Sequence, residues 1–330
     1  MELTVLVFLP AAAAVLILLL PQRYAKISKW VALAAAIAAL VLSVVLFFSF
    51  EYGAGYQFVE RYSWIQIAGF DIQYALGVDG LSLPLVVLTT FLTVAAVLVS
   101  FRIDLRERAY FASLLVLASS VLGVFTALDF LLFFLFWELE LFPMFLLITI
   151  WGSGRRDYSA TKFVLYTLAG SAFMLVGILT LASSAGTFDL EILASSVFGS
   201  TIIPLSVVFA FLFIGFAVKL PIVPLHTWLP DAHSDAPTAV SVMLAGVLLK
   251  MGGYGIIRIC ITILPDQARD FDVVFATIGA LSVLYGAFVT FRQTDIKRLI
   301  AYSSVSHMGL VLLGISGLGV TGIAGATYQM

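Results

Sequence analysis

A chain of 330 residues that is 62% hydrophobic and 11% charged, with a mean hydropathy of +1.13, lies far from soluble domains, in which about a quarter of residues are charged. Its one cysteine, Cys260, sits inside an apolar run, which excludes a disulfide framework and thiolate ligation of an iron–sulfur cluster, so any electron transfer takes place on another polypeptide. With a net charge of −2, no nucleic-acid partner is expected, and no metal-ligand spacing is present; the partner that composition requires is the lipid bilayer.

Ten stretches are long and apolar enough to cross a bilayer as helices: 3–20, 30–50, 81–101, 110–128, 130–150, 160–184, 202–220, 237–264, 272–291 and 296–316. Polar and apolar residues do not alternate as in a transmembrane barrel. The fold class is therefore an all-α integral membrane bundle of about ten to eleven crossing helices. The first stretch, MELTVLVFLPAAAAVLILLLPQR, carries its basic residue after the apolar run and none before it, and reads as a retained helix rather than a cleaved signal. The last residues, GVTGIAGATYQM, run part-way into another apolar segment, as expected of a piece of a longer chain.

Basic residues orient the bundle, because cytoplasmic connections are enriched in Lys and Arg. Four alternate connections carry three each: Arg23, Lys26 and Lys29; Arg102, Arg106 and Arg108; Arg155, Arg156 and Lys162; Arg292, Lys297 and Arg298. The intervening connections are acidic or nearly neutral, which puts the N-terminus outside. One connection breaks the pattern: the stretch from Asp231 to Asp235 falls on the cytoplasmic side without a Lys or Arg of its own.

Four ionisable residues fall near the middle of four different spans: Glu138 in FFLFWELELFPMF, Lys219, Lys250 midway between Asp235 and Pro265, and His307 in AYSSVSHMGLVLL. Charge inside a membrane is costly, so its default reading is functional. A lysine near a helix end snorkels to the headgroups, whereas a central one reaches neither interface. Glu138 can also be read as a buried acid bonded to a neighbour, and His307 as a neutral interhelical hydrogen-bonding residue. Glu140 lies two residues from Glu138, about 200° round a helix, so the two cannot face one interior surface. The residues alone leave that choice open.

Between the lysines, Pro221, Pro224, Pro230 and Pro237 each remove a backbone donor. They predict a helix broken near 219–230, and broken helices at membrane depth line cavities and bind ions. His226, Asp231, His233 and Asp235 follow the break and suit a proton uptake route, though they suit an ordinary polar loop equally well. Desolvation disfavours the ammonium form of a lysine and a nearby carboxylate restores it, so a mobile carboxylate can load and unload a proton. Moving one charge against 100 mV costs about 2.3 kcal/mol, less than two pKa units at about 1.4 kcal/mol each, so pumping is energetically open to such a pair.

FWELELFPMFLLITIWG, KLPIVPLHTWLPDAHSDAPTAVSVMLAGVLLKMGGYGIIR and DIKRLIAYSSVSHMGLVLLGI together resemble the antiporter-like, proton-pumping subunits of respiratory complex I, NADH:quinone oxidoreductase. The stretch after the WLPDA core is more similar to the chain 4 (subunit M) type than to the chain 5 or chain 2 types. The resemblance runs from about GVDGLSLPL at 77–85 onward. It implies that Glu138, following Trp137, is the paired glutamate in preference to Glu140, that Lys219 is the broken-helix lysine, Lys250 the connecting lysine and His307 a mid-membrane histidine. It also implies a fold of about fourteen helices with two inverted five-helix repeats: N-terminal helices over 1–108, a first repeat with the uptake-side half-channel over 109–265, and the start of the second over 266–330.

By the same resemblance the partners are the other membrane subunits of the complex, antiporter-like neighbours included. Flavin, iron–sulfur clusters and quinone belong to those partners, and no cofactor is expected on this chain. The location implied is a bacterial plasma membrane, with thylakoid and organellar inner membranes as alternatives, because WELEL is also similar to plastoquinone-using relatives. Two other readings compete: a subunit of a multisubunit Na⁺/H⁺ antiporter, and a scaffold whose polar residues only hold helices together.

Overall fold

The computed structural model describes residues 1–67, 70–199 and 201–330. In hydrocarbon a backbone must satisfy its own hydrogen bonds, and helices do this within one segment. Among the described residues nine helical segments are long and apolar enough to cross a membrane, and Leu205–Lys219 is a shorter apolar helix beside them. These match the ten stretches read from hydropathy, and the chain is an all-α, multi-pass integral membrane protein. It divides into two units: Met1–Trp64, Gln73–Ala160 and Asp235–Val247 form one; Ile65–Ile72, Thr161–Ser234 and Leu248–Met330 form the other.

The first unit contains α1 (Glu2–Leu19), α2 (Ser28–Phe48), α3 (Ser82–Val99), α4 (Glu107–Thr126), α5 (Phe130–Leu139), α6 (Leu141–Trp151), the first turn of α7 (Arg156–Ala185) and, further along the chain, α11 (Thr238–Met243). Its centre is α4, which packs against α1, α2, α3, α5 and α6 and is buried over most of its length, as a helix apolar on every face should be. Hydroxyls inside the helices bond to backbone: Thr89 to the Leu85 carbonyl at 2.6 Å, Thr93 to Thr89 at 2.7 Å, and Ser119 across to Val7 on α1 at 2.5 Å.

One element departs from the all-α expectation. The 51–80 connection holds strands β1 (Gln57–Ile67) and β2 (Phe70–Val78), paired in a two-stranded sheet. An antiparallel bridge joins Leu76 to Ala127, and the Leu128 N–H donates to the Ala75 carbonyl at 2.9 Å, tying β2 to the α4–α5 turn. Glu60 on β1 then caps α1: it accepts the Leu3 N–H at 2.9 Å and the Thr4 N–H at 3.3 Å, and the Thr4 hydroxyl bonds it as well. These are N–H groups that the first turn of a helix leaves without an internal acceptor.

The second unit holds the rest of α7, α8 (Leu190–Ser195), α9 (Leu205–Lys219), α10 (Trp228–Asp235, its last residue apart), α12 (Leu249–Gly255), α13 (Pro265–Asp270), α14 (Asp272–Phe291), α15 (Ile296–Ser316) and α16 (Val320–Gln329). Helices α14 and α15 lie backbone to backbone, the small-residue contact that brings membrane helices close: a Cβ on Gly279 would stand 2.9 Å from the Leu313 nitrogen, and one on Gly309 2.8 Å from that of Val283. The span expected as one helix over 237–264 is built from α11, a π-helical stretch at Leu244–Leu248, α12 and a second π-helical stretch at Ile256–Ile261. Such stretches are rare and recur at functional sites.

Candidate functional site

The predicted break is present. Helix α9 ends at Lys219 after 15 residues, about 22 Å of rise against a hydrocarbon core of about 30 Å, and α10 resumes at Trp228. Pro221 and Pro224 lie in the intervening turn, where neither can donate to a carbonyl of the preceding turn. Pro221 releases the Ala217 carbonyl, which takes the Ile222 N–H at 3.4 Å, and the Val218 carbonyl, so left without Ile222, accepts the Trp228 indole N–H at 2.9 Å. On the donor side, the Val223 N–H is held by the Ser282 hydroxyl of α14 at 3.0 Å.

Lys219 is 1% exposed, a charged side chain enclosed in an apolar unit. Its ammonium lies 5.7 Å from the centroid of the Phe163 ring on α7, within range of a cation–π attraction. The segment carrying Lys250 presses directly against the break. A Cβ on Gly252 would come within 2.5 Å of the Leu220 nitrogen and 2.8 Å of the Phe216 carbonyl oxygen, so only glycine admits this approach. Lys250, half-buried, thus stands two residues from the point where α12 meets the end of α9, and the π-helical stretches bracket it.

The polar segment beyond the break resolves into three roles. His226, 4% exposed, is flanked by the rings of Tyr285 at 4.9 Å and Tyr302 at 6.4 Å, and its Nδ1 has no hydrogen-bond partner among the described residues. Asp231 is an ion-pair node, 2.8 Å from Lys162 Nζ on α7 and 3.5 Å from Arg298 Nη2 on α15. Lys297 donates to the Ser234 carbonyl at 3.2 Å, and His233 is buried beside this cluster. The connection without basic residues of its own is therefore served by those of two other connections read as cytoplasmic.

Asp235, in the first unit, is occupied in packing: its carboxylate accepts the Ser159 hydroxyl at 2.5 Å and its backbone carbonyl accepts the Ser153 N–H at 2.8 Å. Glu138 and Glu140 belong to the same unit. Glu140, at the seam between α5 and α6, is fully buried, whereas Glu138 is half-buried with Oε1 removed from solvent and lacking a hydrogen-bond partner among the described residues. Burial by itself favours Glu140; the place after Trp137 favours Glu138. The His307 ring is exposed on α15 and lies 3.2 Å from the Gln329 amide on α16, an interhelical contact, while Ser306 and Gly309 are turned toward α14.

Sequence reading missed Lys162, Tyr285, Tyr302 and Ser282 as members of this region. In sequence Lys162 reads only as a loop charge; the absence of bases around Asp231 is the signal that a partner comes from elsewhere.

A family described as NADH:quinone oxidoreductase/Mrp antiporter, transmembrane, matches residues 127–330, more than half of the chain. The chain is 46% identical to NAD(P)H-quinone oxidoreductase chain 4-3 of a Nostoc species over 99% of its own length and 59% of the relative's. It is 45% identical to chain 4 2 of Thermosynechococcus vestitus, over 99% of its length and 62% of that relative's. It thus spans about three fifths of the length of these curated relatives. Among solved structures it is similar to a chain of respiratory complex I from Thermus thermophilus with bound NADH, with a TM-score of 0.84 and 30% identity, covering all of this chain and 69% of that one. A chain of the membrane-bound sulfane sulfur reductase, an archaeal respiratory membrane complex, matches with a TM-score of 0.84 and 25% identity, over all of this chain and 54% of that one. On these matches the chain belongs to the NADH:quinone oxidoreductase/Mrp antiporter transmembrane family.

Proposed function

We propose that this chain is part of a proton-translocating membrane subunit of the chain 4 kind, working in a complex that reduces quinone, and that protons move through Glu138, Lys219, Lys250 and His307. The observation that carries the reading is Lys219: a buried lysine at the end of a helix broken within its crossing, against which the Lys250 segment packs with only a glycine between. Both lysines can change charge state when their surroundings change, since burial opposes the ammonium and a carboxylate or water favours it. His226, Asp231, His233 and Asp235 serve proton uptake in this reading, with Lys162, Lys297 and Arg298 gathered about Asp231 and Ser234.

Redox chemistry lies outside this chain in the proposal. Flavin, iron–sulfur clusters and quinone are held by partner subunits, antiporter-like neighbours among the partners. The N-terminus faces outward, residues 109–265 form the first repeat and 266–330 open the second, and the membrane is a bacterial plasma membrane or, as the relatives equally allow, a thylakoid membrane.

The family description also names antiporters, which gives a second reading, Na⁺/H⁺ exchange without quinone chemistry. The two separate in proteoliposomes carrying the native complex, energised by electron transfer to quinone and followed for both ions. Proton flux that starts with quinone reduction and is indifferent to Na⁺ supports the proposal; Na⁺ counterflow driven by a pH gradient alone supports the exchanger.

A further inference from the structure

Three membrane-crossing segments of the first unit, Glu2–Leu19, Gln22–Phe48 and Glu107–Thr126, begin or finish at one cavity of about 340 Å³, together with the connection that carries Asp104 and Arg106. Its lining includes Leu18, Gln22, Asp104, Arg106, Glu107 and Arg108. Arg108 is anchored by donating to the Leu20 carbonyl, which holds its guanidinium at the rim. Glu107 presents the opposite need: its Oε2 is removed from solvent and has no hydrogen-bond partner among the described residues. Glu107 also lines the cavity, so its carboxylate, one oxygen of which has no partner among the described residues, favours a cation there.

Two guanidinium groups in one cavity suit an anion with several acceptor oxygens, and phosphate matches their donor geometry. The neighbouring carboxylates Asp104 and Glu107 suit an ammonium. Position supplies the third constraint. Ends of three crossing segments lie at headgroup depth, Leu18 forms part of the wall, and Leu19 and Leu105, next in sequence to lining residues, are 78% and 57% exposed, an apolar rim suited to acyl chains.

We propose that this cavity binds the headgroup of an aminophospholipid, phosphate on Arg106 and Arg108, primary ammonium on Glu107 with Asp104. The chemistry discriminates among headgroups. Phosphatidylglycerol satisfies the arginines but brings no cation to Glu107. Phosphatidylcholine has the charge but no N–H to donate. Soluble glycerophosphoethanolamine has both groups and lacks the chains.

The full chain, purified and stripped of lipid in detergent, is titrated with each of the three lipids and with glycerophosphoethanolamine, and the bound species are counted by native mass spectrometry. The expected result is one site that takes phosphatidylethanolamine about tenfold more tightly than the other lipids, a difference of one charge-assisted hydrogen bond. Glu107→Gln removes the preference for ethanolamine over glycerol headgroups, Arg106→Gln weakens all three lipids, and Arg106→Lys keeps the preference. If Arg106→Gln fails to fold, Glu107→Gln decides alone. The proposal is overturned if phosphatidylglycerol binds as tightly as phosphatidylethanolamine, or if the preference survives Glu107→Gln. It is equally overturned if glycerophosphoethanolamine fills the site as tightly as the lipid, which assigns the cavity to a soluble ester.

Discussion

Lys162 Nζ lies 2.8 Å from Asp231 Oδ2, joining the start of α7 to α10, the half of the broken crossing that follows the turn. Arg298 reaches the other oxygen of the same carboxylate at 3.5 Å. The Lys162 and Asp231 side chains are 19% and 16% exposed, Arg298 42%, so water screens the first pair less than the second. One carboxylate thus holds the segment beyond the break to both α7 and α15.

Lys162→Gln should therefore destabilise more than Arg298→Gln. The expected cost is about 1–2 kcal/mol for the first and under about 1 kcal/mol for the second. Thermal unfolding of the purified protein gives the ranking, and faster amide exchange confined to α10 in Lys162→Gln identifies the segment released.

The contact between α12 and the break makes Gly252 intolerant of a side chain. Gly252→Ala places a methyl group 2.5 Å from the Leu220 nitrogen and should cost about 1–3 kcal/mol through displacement of α12. Gly325→Ala on α16 meets nothing within 4 Å and should be neutral or stabilising by about 0.5–1 kcal/mol. Unfolding midpoints of the two variants in one detergent check the contrast.

Trp228→Phe keeps the ring and removes the indole donor to Val218. The freed carbonyl should cost about 1–2 kcal/mol and quicken amide exchange around the end of α9. Equal exchange in the two proteins would show that the indole does not hold the break.

Glu60 links stability to pH outside the membrane. Burial pushes its carboxyl up, but hydrogen bonds from Thr4, the Met1 ammonium and the Leu3 N–H outweigh this and hold it below the usual value of 4.5. A carboxyl lowered on folding stabilises above its unfolded pKa and loses that contribution as pH falls through the folded value. Wild type should exceed Glu60→Gln in stability by a constant margin above about pH 5, with the margin vanishing at more acid pH. Chemical unfolding from pH 3 to 7 measures it; a pH-independent margin would refute this role for Glu60.

Hydropathy made the crossings legible, since a helix in lipid must be apolar over its whole length. The break was legible because Pro221 and Pro224 cannot donate. The sheet was legible in principle: Phe70, Ile72, Tyr74 and Leu76 alternate with Asp71, Gln73 and Ala75, a period of two that a search for 20-residue apolar runs passes over. Lys162 as the partner of Asp231 was not, because 69 residues separate them and only tertiary packing brings them together. The π-helical stretches around Lys250 likewise leave no mark in apolar sequence. The exposure of His307 depends on which side of α15 meets α14, and Gly279, Gly286 and Gly309 set that by letting the two backbones meet.

Proton pumping through Lys219 is the central claim, and the most direct measurement is the number of protons moved per electron in proteoliposomes of the assembled complex, comparing wild type with Lys219→Ala and Glu138→Gln. The account predicts that both variants assemble with normal subunit content and that the ratio falls, with loss of coupled turnover. An unchanged ratio in both would contradict it and leave the buried lysine and glutamate with a structural role alone.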